Sequence, residues 1–532
     1  MKMIIRAWII CCSLYLCINC SPSKRKPAYS NNPGAGTDTS ASDQLSGKDL
    51  SLIYCSMCHK YPDPSLLTKN AWMLGVLPNM GRRLGILSLQ DPFKEFSAAD
   101  IPIIKKANIF PDNPLIPGDK WKKIVDYYNQ TAPDSLPPIT YPEGVEDHLN
   151  NFKAHFIRYS KQKISLVTYT GYNPFNNLIY IGDYRKNLVM LNNQGKEVNR
   201  ITLPSPVICV NFLDKNQSLV TCVGILNPNE QSLGRIYEVD NQRDTSLIIQ
   251  GLQRPVYTEA TDLNQDGRID LVVSEFGNQT GKLSWFENLG NHNYKKHILI
   301  PDPGSIKTQT FDINHDGLPD IAALLAQGDE RIMIFYNKGH GIFEPTIPLR
   351  FVPVSGSLYF ELVDFNHDGW EDILYCSGDN ADKSPILKPY HGIYLFLNDG
   401  MNNFKQAYFF PMNGCIKALP FDYDGDGDLD IAAISFFPDY SSKRVLGFMY
   451  LENVSRDRIR FRPRTFPENE TGRWLVMDRA DMDRDGDMDL VIGSFLYSVS
   501  PVPRPKLEEM IQSGVNIIYL ENTAGQKSTT RK

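Results

Sequence analysis

The chain has 532 residues and a formal charge of −6, with 42% hydrophobic and 22% charged residues. That length predicts about three or four units, and the hydrophobic share excludes disorder as the main state. The near balance of 55 Lys+Arg against 61 Asp+Glu provides no general basic field, so nucleic acid is not an expected partner. Abundant Gly, Pro, Tyr and Phe favour strands and turns over helical bundles.

Lys2 and Arg6 precede an apolar run, Ala7 to Ile18, of 12 residues. A membrane span needs about 20, so residues 1–19 read as a secretory signal. Cys20 ends the run and Ser21, Pro22, Ser23 and Lys24 follow. This layout resembles a bacterial lipoprotein signal, which implies lipidation at Cys20, attachment to a membrane through the N-terminal lipid, and a place in the cell envelope, on the periplasmic side or at the surface. The box Cys17-Ile18-Asn19-Cys20 departs from the usual Leu and small residue, and an ordinary cleaved signal is the alternative. Residues 20–45, rich in Ser, Asn, Gly and Pro, read as a flexible tether.

Cys55-Ser56-Met57-Cys58-His59 is a C-x-x-C-H sequence, the pattern of covalent haem attachment. Cys55 and Cys58 would form thioethers to one haem c, and His59 would be the proximal iron ligand. A zinc site needs two further ligands and the next cysteine is Cys209; a redox dithiol needs a βαβ setting that is absent here. Met57 lies inside the attachment loop, so Met73 and Met80 are the candidate distal ligands, or the iron is left open. Trp72 to Met80 resembles the W-x-x-x-V-x-x-M segment of some bacterial monohaem cytochromes, which favours Met80. Trp121, Ile124, Val125 and Tyr128 recur at helical spacing before Pro133, as in the terminal helix of class I cytochromes c. The fold class expected for residues 46–138 is therefore a small all-α cytochrome c domain, with residues 139–151 as a linker.

The rest repeats. Asp262, Asn264, Asp266 and Asp270 form a D-x-N-x-D-G-x-x-D loop, which recurs as Asp312, Asn314, Asp316, Asp320 and as Asp364, Asn366, Asp368, Asp372. All-aspartate versions follow: Asp422, Asp424, Asp426, Asp430, and Asp481, Asp483, Asp485, Asp489. A period of 50 to 59 residues is that of a propeller or array. Alternating carboxylate and amide oxygens on a Gly turn suit Ca2+, up to five ions. The twelfth positions are Val273, Ala323, Tyr375, Ala433 and Ile492, so these are not EF-hands. Each unit then carries a second signature ending in asparagine: Asn288, Asn337, Asn398, Asn453 and Asn522. The set resembles the FG-GAP (VCBS-type) repeats also found in integrin α chains, which implies four-stranded blades over residues 152–525, with residues 526–532 as a tail.

Residues 160–203 and 204–252 add two units without carboxylates, so an all-β propeller of seven blades is expected. The last unit lacks its outer strand, and Phe152–Ile157 resembles the outer strand Tyr294–Leu299, so the ring is expected to close on its own N-terminal segment beside the haem domain. His155 and His297 then share one structural position. The connections after the second strand lengthen in the last three units and carry Tyr390, His391, Tyr440, Arg444, Tyr497 and Arg504, which marks the face opposite the acidic loops for a redox partner protein or an envelope ligand. The function these features imply is electron transfer. The alternatives are a quinoprotein-like dehydrogenase, for which no tryptophan-docking repeat or substrate base is evident, and a polysaccharide- or protein-binding lipoprotein.

Overall fold

The computed structural model describes residues 44–86, 91–141, 144–240, 244–381, 386–456, 458–497 and 502–525. The signal, Cys20 and nearly all of the tether lie outside them. Seven antiparallel four-stranded sheets follow one another, and in six of them each strand pairs with its sequence neighbour. Blades 1 and 2 span residues 167–202 and 207–252, and blades 3 to 6 span 255–300, 305–350, 357–411 and 415–464. Blade 7 takes its inner strands from 474–522 and its outer strand from Phe152–Ile157. The architecture is a seven-bladed β-propeller.

The second strand of each blade is the most apolar, because sheets cover it on both faces. Asp270–Glu275, Asp320–Leu325, Asp372–Ser377, Asp430–Ser435 and Asp489–Ser494 are buried at every position. Trp474 is wholly buried and its indole donates to Asn469 O at 2.6 Å. The closing strand runs antiparallel to Ile517–Asn522, with Phe152 opposite Asn522 and Ile157 opposite Ile517. His155 Nε2 lies 2.6 Å from Glu521 and its ring stacks on Tyr519. His297 repeats the arrangement with Glu287 at 2.8 Å and Trp285. Cys209 and Cys222 are separate buried thiols, one step out of register: Val207 faces Cys222 and Cys209 faces Thr221.

Residues 46–132 carry short helices and, among the described residues, no strand. They are α1 (Gly47–Cys55), α2 (Lys69–Ala71), α3 (Leu77–Arg83), α4 (Ile101–Lys106) and α5 (Gly118–Thr131), with a π turn over Trp72–Val76. Ser46 caps α1 in a reciprocal box with Asp49. Gly47 lets α1 lie against α5: a Cβ there would stand 2.2 Å from Lys123 O and 2.7 Å from Tyr127 Cβ. Gly47→Val should therefore cost about 1–3 kcal/mol by overpacking, read as early loss of the helical circular-dichroism signal while the strand signal persists. Among the described residues no helix is long and apolar enough to cross a membrane.

This helical unit lies on the propeller face opposite the acidic loops. Lys60 Nζ donates to Arg350 O at 3.2 Å, Glu230 N to Asp100 Oδ1 at 3.0 Å, and Tyr390 OH to Leu66 O at 3.1 Å, while Arg83 binds Gln279. These contacts fall on blades 2 to 5, away from the seam where the helices were expected. The connecting segment explains the distance: Glu146 bridges to Arg464 on the outer strand of blade 6 before the chain enters blade 7.

Candidate functional site

The C-x-x-C-H sequence begins at the last residue of α1 and is pinned from behind. Tyr128 on α5 donates to Pro62 O at 2.6 Å, and the wholly buried Trp72 donates to Pro64 O at 2.8 Å. Their rings meet edge to face at 4.7 Å. Two elements, α5 and the π turn, thus hold the residues that follow His59. Burial pushes the Cys55 thiol up to about 11, the Tyr128 hydroxyl beside it offsetting part of the rise. His59 Nδ1 lies 3.0 Å from Lys60 O, so Nδ1 carries the proton and Nε2 is the free lone-pair nitrogen. Burial holds the His59 imidazole below its ordinary value, favouring that neutral form.

Met80 lies on α3 and Met73 in the π turn, both half-buried, whereas Met57 is 57% exposed. A π turn widens the helix and is frequent at functional sites. Leu74 at 81% and Ile53 at 51% are also exposed.

Four of the five acidic loops share one geometry, whereas in the fifth Asp485 N donates to Asp483 Oδ1 at 3.3 Å. Asp262 accepts from Asp266 N at 3.1 Å and Gly267 N at 2.8 Å; Asp312, Asp364 and Asp422 repeat both bonds. The fourth residue is left-handed in all five loops: Gln265, His315, His367 and Arg484 have φ between 57° and 68°, and only Gly425 is a glycine. That backbone costs about 1 kcal/mol or more for each non-glycine residue, so something must hold the turns. In two loops the carboxylates of Asp422, Asp424 and Asp426, and of Asp481, Asp483 and Asp485, gather within 4.8 Å. Burial, then Asp426, pushes Asp424 up to about 6.

The last aspartate of each loop is wholly buried and joins the two sequence signatures. Asp270 accepts from Asn288 N at 2.7 Å and Leu263 N at 3.3 Å. Asp320, Asp372, Asp430 and Asp489 do the same with Asn337, Asn398, Asn453 and Asn522. Burial raises Asp320 and Asp372 to about 6, and Asp430 and Asp489 to about 7.

Residues 262–323 and 312–375 match the FG-GAP-like repeat. The propeller contains FG-GAP-like repeats. No curated protein matches the chain. Among solved structures, the WD40 domain of Neurospora crassa Pan2 is 10% identical, with a TM-score of 0.41 over 68% of this chain and 89% of that one. The β-propeller domain of Myceliophteria thermophila Cps50 (Swd1) is 12% identical, with a TM-score of 0.40 over 70% of this chain and 99% of that one. The blade count rests on this chain's own strand order.

The long connections have tasks within the chain. Tyr390 holds Leu66, Arg444 pairs with Asp147 at 2.7 Å, and His391 is wholly buried. Arg504 sits in α6 (Arg504–Ser513) and pairs with Glu508, and Tyr497, 45% exposed, stacks on Tyr184. The helical unit as an occupant of this face was not visible in the sequence, since single polar pairs 130 to 324 residues apart leave no pattern.

Proposed function

We propose that the protein is an exported c-type cytochrome, anchored through lipid at Cys20, whose FG-GAP-like propeller binds Ca2+ in its five acidic loops and which exchanges electrons with a docked partner. The observation that carries this reading is the setting of His59: both cysteines precede it, Tyr128 and Trp72 clamp the residues that follow it, and among the described residues its Nε2 makes no hydrogen bond. A bound haem c would supply a one-electron couple. Cys55 and Cys58 would attach it, His59 Nε2 would ligate the iron, and Met80 would fill the opposite position and exclude small ligands. Each loop would offer its first, third and fifth side chains to a cation, with the buried last aspartate tying the loop to its blade. The partner would approach on the helical face, beside exposed Met57, Leu74 and Tyr497.

Met80→Ala should abolish the weak sulfur-to-iron band at the red end of the oxidised spectrum, lower the potential and open the iron to carbon monoxide. Met73→Ala should do none of these. Wild-type protein that binds carbon monoxide rapidly would exclude Met80 as the ligand.

A further inference from the structure

The residue after His59 ties the attachment sequence to the propeller. Lys60 O lies 3.0 Å from Nδ1 of the His59 ring, and Lys60 Nζ donates to Arg350 O at 3.2 Å. One residue thus links the imidazole to the outer strand of blade 4, Phe343–Arg350. Arg83 stands three residues beyond Met80 on α3, on the same side of the helix. It binds Gln279, in the connection that follows the second strand of blade 3. The segment of the proximal ligand and the helix of the expected distal ligand therefore share blades 3 and 4 as a common wall.

That wall is charged where Lys60 meets it. Asp329 is held between two arginines: Oδ1 accepts from Arg350 Nε at 2.6 Å and Oδ2 from Arg331 Nη1 at 2.9 Å. Arg331 also donates to Asp302 Oδ2 at 2.6 Å and to Asp329 O at 2.8 Å. The Arg331 side chain is 6% exposed and that of Asp329 is 16% exposed, so water and salt screen them little. Each member of the cluster is paired, which fixes its charges in place. The residue whose carbonyl takes the Lys60 ammonium is also the one whose guanidinium holds Asp329. Burial lowers the His59 imidazole most; the Lys60 carbonyl and then Asp329 raise it, and Arg350 lowers it. Both charges of the blade 4 pair therefore reach the ring.

We propose that blade 4 is part of the haem site, its Asp329–Arg350 pair setting the reduction potential of the iron that His59 ligates; this rests on the haem reading above. A carboxylate near the iron stabilises the oxidised state, which carries one more positive charge, and a guanidinium stabilises the reduced state. The test is the midpoint potential of the haem-loaded full chain, titrated with redox mediators and followed by its visible spectrum. Asp329→Asn should shift the potential up and Arg350→Gln should shift it down, with the axial-ligand bands unchanged. Both substitutions break the same ion pair, so a merely structural role would move both potentials in one direction. Asp399, exposed and next to Asn398 on the acidic-loop face, provides the control: Asp399→Asn should leave the potential unchanged. If Asp329→Asn does not fold, Asp302→Asn on the same Arg331 should give the upward shift. Unchanged potentials in the haem-loaded variants, or shifts of one sign, overturn this proposal alone. A chain without covalent haem overturns the haem reading and this proposal with it.

Discussion

Chelation of divalent cations should lower the melting temperature of the propeller by at least about 10 °C without releasing haem. Each site held at 100 times its dissociation constant contributes about 2.7 kcal/mol, and up to five such sites act on one ring. Chelated protein should also melt lower at pH 8 than at pH 5. Asp320, Asp372, Asp430 and Asp489 have folded values of about 6 to 7, above the ordinary 3.8. The folded state therefore holds more protons than the unfolded state between about pH 4 and 7, so these groups lose stability as pH rises through that window. Ca2+ favours the ionised carboxylates and should remove the trend. Calorimetry with and without chelator at both pH values checks this; identical melting with and without chelator would rule out the five cation sites.

Deleting Phe152–Ile157 should prevent a stable ring. The deletion leaves Ile517–Asn522 as an open apolar edge, and it strips Phe156 and Ile157 from the cores they join. The loss should be on the order of 5 kcal/mol or more, seen as aggregation or as a non-cooperative melt. Because Phe152 faces Asn522 across the ladder, the same six residues returned after Asn522 through a short turn should form a hairpin and restore the melt. A deletion variant that melts like wild type would show that the ring does not depend on this strand.

The propeller was legible because its repeat is written in residue types with narrow uses. An Asp-Gly turn that runs directly into a buried strand states both the loop and the strand, and the histidine of Phe152–Ile157 betrayed its kinship with the outer strand of blade 3. That the two signatures of a unit touch was not legible. The bond from Asn288 N to Asp270 joins residues 18 apart, and nothing in either signature names the other. The C-x-x-C-H residues were plain, but their clamp by Tyr128 and Trp72 needed the fold. Which residues face the propeller axis stayed hidden for a different reason: a bulge shifts the alternation of each innermost strand, so inward and outward positions cannot be counted from sequence.

The most direct test of the central claim is the intact mass and reduced pyridine spectrum of the denatured, exported protein, made in cells equipped for haem attachment. The account predicts one haem per chain that survives denaturation and acid–acetone extraction, and that is lost when Cys55 and Cys58 are both serine. A colourless polypeptide of unmodified mass, with both thiols free to alkylate, would contradict it.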